Sequence, residues 1–178
     1  LIGRGLNING ALLFAVSVYE QVVEAYIAGL EDLKKSGGDV SKTASVASIF
    51  VSRIDSAVDK RLDKLADKKL ADNLRGKAGI ANAKVAYAGY QALFAGPRWD
   101  RLAAAGAKTQ RLLWASPSTK SPAYRDTMNA ETRISRHTLD TIPPPTMTAL
   151  RDSGTREPGG VANDAQGGGA TLATLETS

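Results

Sequence analysis

The chain has 178 residues, with 23 Lys or Arg against 18 Asp or Glu and a formal net charge of +5. The absence of cysteine excludes disulfides and thiolate metal sites, and the single histidine, His137, excludes a multi-histidine metal cluster and argues against a Ser-His-Asp triad. Basic and acidic residues are interleaved throughout, as on a solvated surface rather than a nucleic-acid footprint, and no apolar run approaches the length of a membrane span.

This length suits one full domain with a sizeable core. The chain opens at Leu1, in what reads as the end of a helix, and closes in a Gly-rich stretch, so a piece of something larger is expected. The apolar run Ala11–Val16 behind Arg4 is too short for a secretion signal and leads straight into Tyr19, Glu20 and Glu24. A cytoplasmic protein is expected.

Leu6–Phe14 (LNINGALLF) reads as a buried strand with Asn7 and Asn9 on one side of the pleat. Val18, Val22, Tyr26, Leu30 and Leu33 recur at helical spacing, which predicts a helix over Val18–Lys35 that Gly37-Gly38 ends. Ser41–Val51 supplies a second strand. Within Ser45–Asp55 (SVASIFVSRID) its apolar, β-branched part suits a strand buried on both faces, and its end turns abruptly polar. Such a strand delivers the Ser48 hydroxyl and the Arg53 guanidinium at its carboxyl end, where α/β folds place their sites. Arg53 is suited to hold a phosphate in a bidentate fork, and the competing reading pairs it with a helix acid.

Asp55–Phe94 reads as mostly helical, broken between Asn73 and Gly76, and the sign-alternating charges of Asp59–Lys69 mark an exposed helix face. After Gly96-Pro97, Arg98–Ala105 predicts a short helix with Trp99 and Leu102 inward. Gln110–Ser116 (QRLLWAS) is a third strand ending in a hydroxyl, and Pro117–Asp126 is a loop. His137–Ile142 is a short fourth strand, with His137 at its surface entrance, that stops at Pro143-Pro144-Pro145; Thr146–Asp152 forms a brief helix. From Gly154 on, Gly, Ala, Thr and Asp dominate, with the triplet Gly167–Gly169. This composition predicts a loosely ordered tail in which Leu172 and Leu175 support at most one helical turn.

Four strand–helix units imply an α/β fold with a parallel sheet and crossover helices. Four units are half of an eight-stranded barrel. An open doubly wound sheet competes, but no Gly-rich phosphate loop follows any strand.

Together the stretches LNINGALLF, YEQVVEAYIAGLE, DVSKTASVASIFVSRIDSAVDKRLD, RGKAGIANAKVAY, RWDRLAAAGAKTQRLLWAS, STKSPAYRDT and HTLDTIPPPTMTALRDSG resemble transaldolase, in the variant common in bacteria. The resemblance runs over residues 1–155 in unbroken order, with 156–178 as a flexible tail, and SIFVSRIDSAVDKRLD is its most specific part. It implies about four units of a (β/α)8 TIM barrel. It also implies transfer of a dihydroxyacetone unit from sedoheptulose 7-phosphate to glyceraldehyde 3-phosphate, through a lysine Schiff base and with no metal or organic cofactor. Position by position, Asn9 matches the asparagine that contacts the Schiff-base intermediate and Ser48 the active-site serine of the next strand. Arg53 matches the phosphate-binding arginine, Ser116 the serine ending the seventh barrel strand, and Lys120 a second phosphate ligand in the following loop.

The sequence departs from the family pattern at Ala11 and Ala15, where a threonine that helps hold a catalytic water and a serine are usual, and at Asp140, where asparagine is usual. The Schiff-base lysine and the catalytic aspartate and glutamate of the family fall before Leu1. No lysine here, Lys42, Lys77 and Lys84 included, lies in a buried strand where desolvation lowers an amine's pKa enough to attack a carbonyl. The chain alone is therefore expected not to catalyse the transfer. The implied partners are sugar phosphates, with no nucleic acid and no membrane, and either further copies of the chain or a missing amino-terminal half to cover the open sheet edges. The alternative is a catalytically dead relative kept as a structural or binding module. Asn9 as a satisfier of backbone groups and Ser116 as a strand-end cap are the plain readings of those residues.

Overall fold

The computed structural model describes residues 1–115, 135–154 and 160–177. Four strands, β1 (Ile8–Leu13), β2 (Ser45–Phe50), β3 (Arg111–Ala115) and β4 (Thr138–Asp140), form one sheet in the order β1-β2-β3-β4. Every pairing is parallel, which requires crossovers, and helices supply those between β1 and β2 and between β2 and β3. α1 (Val16–Lys35) joins β1 to β2, while α2 (Ser52–Leu62), α3 (Lys68–Leu74), α4 (Ala78–Leu93) and α5 (Pro97–Ala103) lie between β2 and β3. After β4 come α6 (Pro144–Ser153) and α7 (Ala165–Glu176). The result is an α/β fold, a partial (β/α)8 barrel.

The core lies on one face of the sheet. Ala47 and Ile49 of β2 and Leu112 and Trp114 of β3 point into it and meet Tyr19, Val23 and Leu30 of α1 with Tyr87 and Tyr90 of α4. Trp99 and Leu102 of α5 complete it as their spacing predicts, Trp99 edge-on to Phe94 with ring centroids 4.7 Å apart. Arg98 clamps α5 to α1 by a two-pronged contact with Glu31 at 2.9 and 3.0 Å and a third bond to Glu24 at 2.8 Å. Those bonds hold the Glu31 carboxyl below its usual range. No helix among the described residues is long and apolar enough to cross a membrane.

The first strand departs from the sequence expectation. It is the sheet edge, so Ala11 and Leu12 are exposed, Leu12 by 62%. Its register slips between Gly10 and Leu13, where three steps on β1 match two on β2, and Leu12 sits at φ +62°. A bulge of this kind twists an edge strand away from further pairing. The predicted helical run over Asp55–Phe94 breaks twice, because Asp67 caps a fresh start at α3 by accepting from the Leu70 amide at 3.0 Å, and Gly76 turns at φ +69°. α2 also starts three residues earlier than its charge pattern suggests.

The stretch read as a loose tail differs most. Its larger part is α7, which packs along α4. The reading counted apolar side chains, whereas this contact is made by their absence. A Cβ at Gly168 would lie 3.0 Å from both the Ala81 carbonyl oxygen and Lys84 Cβ, so the glycine lets the two backbones approach. Asp164 caps the helix through the Gly167 amide at 2.9 Å and pairs with Lys84 at 3.3 Å, and Leu175 reaches the cluster of Leu62, Ala71 and Leu74.

Candidate functional site

Because side chains alternate along a strand, the face opposite the core carries Val46, Ser48 and Phe50 from β2. Their register partners Asn9 on β1 and Arg111, Leu113 and Ala115 on β3 share that face. Here two of the sequence-predicted residues, Asn9 and Ser48, come together. The Ser48 hydroxyl donates to Asn9 Oδ1 at 2.7 Å, and Ser48 is only 4% exposed. Asn9 itself is exposed and borders a cavity of about 500 Å³ with Asn7, Lys108 and Arg111.

Two residues beyond Ser48, Phe50 stacks on Phe14 with centroids 5.4 Å apart and planes at 24°. Arg53, in the first turn of α2, lies over the Phe50 ring with Cζ 4.6 Å from its centroid. Arg53 is exposed and makes no ion pair with any described residue, so the pairing with a helix acid is not what the structure shows. It shares a shallow surface depression with Ser56, Lys60 and Lys64. The first turn of α2 adds the positive end of a helix dipole.

Asn9, Ser48, Phe50 and Arg53 thus form a line that runs to the carboxyl ends of the strands, the end at which parallel α/β folds bind substrates. Such a line presents a carboxamide fixed by a hydroxyl and, beyond an aromatic pair, a ring-backed guanidinium able to fork onto an anion. Ser116 and Lys120 lie outside the described residues. Asp140 is in register with Trp114 and so belongs to the core-facing side rather than to the Ser48 face. Lys42 ends a 3-10 turn ahead of β2, Lys77 precedes α4 and Lys84 is within it, while His137 is exposed at φ +61° just before β4.

Two pairs of residues escaped the sequence reading. Phe14 and Phe50 look like ordinary core aromatics until the register puts them side by side beneath Arg53. Asp55 and Asp59 look like part of a solvated charge run. Their four-residue spacing puts them on one side of α2, where Asp55 accepts from the Gly79 amide at 2.7 Å and Asp59 from the Gly76 amide at 3.0 Å. That spacing, facing the Gly76 and Gly79 pair, was the available signal.

A parallel β/α sheet with helices as its crossovers and a guanidinium past its second strand is the build of a portion of a (β/α)8 barrel, a fold class that places its sites at the strand ends. The chain belongs to the transaldolase/fructose-6-phosphate aldolase family, whose profile matches residues 1–176. It is 50% identical over 153 residues to a transaldolase of Parafrankia sp. (strain EAN1pec), covering 86% of this chain and 41% of that protein. It is 47% identical over 159 residues to a transaldolase of Trichodesmium erythraeum (strain IMS101), covering 85% and 42%. With the transaldolase of Mycolicibacterium smegmatis the figures are 45% over 155 residues, 86% and 41%. The chain therefore spans about two fifths of the length of these relatives.

Proposed function

We propose that this chain is the carboxyl-side portion of a transaldolase and supplies the wall of its site that binds the sugar phosphate. In this reading Arg53 holds the substrate phosphate and the Asn9 carboxamide, steadied by Ser48, contacts the carbon that carries the lysine imine. Ser116 and Lys120 add further contacts. The reaction is dihydroxyacetone transfer from sedoheptulose 7-phosphate to glyceraldehyde 3-phosphate in the cytoplasm. The amine that forms the Schiff base comes from a segment outside these 178 residues.

The observation that carries the reading is the alignment of Asn9, Ser48 and Arg53 on one path to the strand ends, with the Ser48–Asn9 bond at 2.7 Å and Arg53 held over Phe50. The placement of lysines supports the second half, since none of the four described strands contains one. An amine in water at neutral pH is protonated and does not attack a carbonyl; burial in a strand is what changes that.

The test is borohydride treatment of the chain with fructose 6-phosphate, followed by mass spectrometry, beside a titration of Arg53→Ala with the same sugar. The expected result is no covalent adduct and weak binding that Arg53→Ala abolishes. A stable three-carbon adduct on any lysine of this chain overturns the assignment of the nucleophile to another segment. Undiminished binding by Arg53→Ala overturns the phosphate site.

A further inference from the structure

We propose that Asp55 is a positioning residue for Arg53, fixing the direction in which the guanidinium meets an anion. The inference rests on the reading of Arg53 as the anion-binding group. Arg53 itself is exposed, and its guanidinium lies over the face of Phe50, a weak contact at a solvent-exposed site. Its aim therefore depends on how firmly the first turn of α2 is held.

Asp55, two residues on, does the holding. Its carboxylate is 5% exposed and accepts from the Gly79 amide at 2.7 Å. Gly79 lies in the first turn of α4, whose own cap residue, Lys77, makes no side-chain capping bond. Asp55 thus caps a different helix from the one that carries it, with its charge at the positive end of that helix. The approach is too close for any side chain at Gly79. A Cβ there would lie 2.7 Å from the Val51 carbonyl oxygen and 2.8 Å from Asp55 Oδ2.

One turn further along α2, Asp59 accepts from the Gly76 amide at 3.0 Å, where the chain turns at φ +69°. The two bonds pin α2 at two points to the segment that begins α4. α4 in turn is anchored in the sheet core by Ala83, Ala86, Tyr87 and Tyr90. Two paths therefore run from the rigid body to Arg53: along the chain from Val51, which is buried in the core ahead of α2, and through Asp55, which fixes the turn from its other end. Rigid placement lowers the ordering cost when a guanidinium closes on its anion.

The test titrates the full chain with inorganic phosphate while following the Arg53 Nε–Hε cross-peak by NMR, with thermal midpoints measured in parallel. Wild type is expected to shift that peak and Arg53→Ala to lose phosphate binding. Asp55→Ala and Gly79→Ala, which break the same junction from its two sides, are expected to raise the phosphate Kd about tenfold, the scale of one lost charge-assisted hydrogen bond, and to broaden the Arg53 peak. Leu33→Ala, on the far side of α1, destabilises without touching α2 and is expected to keep the wild-type Kd. A folded Asp55→Ala or Gly79→Ala with the wild-type Kd and a sharp Arg53 peak overturns the inference and leaves the Arg53 site standing. A loss in Leu33→Ala equal to that in Asp55→Ala also overturns it, by assigning the effect to general destabilisation. Phosphate binding unchanged in Arg53→Ala overturns the underlying site. Should both alanine variants fail to fold, Asp55→Asn replaces the charge-assisted bond to Gly79 by a weaker neutral one and is expected to raise the Kd about threefold and broaden the Arg53 peak; a wild-type Kd with a sharp peak there overturns the positioning role.

Discussion

Ser48 and Asn9 meet diagonally across the β1–β2 boundary: Asn9 is in register with Val46, and the Ser48 hydroxyl two residues further on reaches back to Asn9 Oδ1 at 2.7 Å. The bond ties the exposed edge strand to a buried one and fixes which way the carboxamide faces. Ser48→Ala should therefore lower stability by about 1 kcal/mol, the ordinary net worth of a neutral hydrogen bond. A double-mutant cycle with Asn9→Ala, read by denaturant unfolding, should return a coupling of at least about 0.5 kcal/mol. Additivity of the two substitutions would show that the pair does not act together.

A second polar chain crosses the same strands from inside. Gln110 Nε2 donates to the Ser45 hydroxyl at 2.7 Å, and Ser45 donates to the Ile8 carbonyl oxygen at 2.7 Å. Gln110 is 2% exposed, so its amide has no access to bulk water when Ser45 is removed. Ser45→Ala is expected to cost about 1–3 kcal/mol, more than Ser48→Ala, because it strands a buried donor. Equal unfolding midpoints for the two variants would contradict this ordering.

No described residue pairs with the outer side of β1, and Leu6, Leu12, Phe14 and Val18 are exposed beside it. An open strand edge flanked by apolar side chains favours association. Sedimentation velocity at rising concentration should show a growing weight-average sedimentation coefficient for wild type. Leu12→Lys, which places a charge on the edge, should hold that coefficient flat. A concentration-independent value for wild type would remove the edge as an association surface.

The elements that follow from side-chain pattern were legible in the sequence, and those that follow from backbone approach were not. β2 reads as a buried strand because Ala47, Ile49 and Phe50 leave it no solvated alternative, and α1 reads as a helix because Val18, Val22, Tyr26, Leu30 and Leu33 recur at helical spacing; the structure buries the last three together with Val23, while Val22 is partly buried and Val18 exposed. Ser48 and Arg53 stand out because a buried strand turns abruptly polar at its end, and Asn9 through the resemblance of its segment to a known family; the parallel register brings Asn9 and Ser48 into contact. α7 was missed because Gly167-Gly168-Gly169 scores as a helix breaker, while in the fold Gly168 is what fits α7 against Ala81 and Lys84. The break before α3 was missed for a similar reason: Asp67 was counted as one charge in a run, although its carboxylate caps the new helix. Asp55 reads as the start of a charged helical run and is buried, and its partner, the Gly79 amide, lies 24 residues away, beyond the reach of a local pattern.

The docking of α7 carries a pH dependence through Asp164. Its carboxylate accepts from the Gly167 amide and pairs with Lys84, and these bonds, the backbone one first, hold its pKa below the usual aspartate range. The native value lies under the unfolded one, so the contribution is fully present above the ordinary aspartate range, about pH 4, and is lost as the pH falls through the depressed value. In wild type, the 15N heteronuclear NOE of Gly167, Gly168 and Gly169 should fall between pH 6 and pH 3 relative to that of α4. Asp164 sits at φ +59°, a conformation asparagine tolerates, and asparagine still caps, so Asp164→Asn keeps the geometry and loses only the charge. That variant should show an intermediate NOE that does not change with pH over this range. A pH response equal to that of wild type in Asp164→Asn would assign the loosening of α7 to another group.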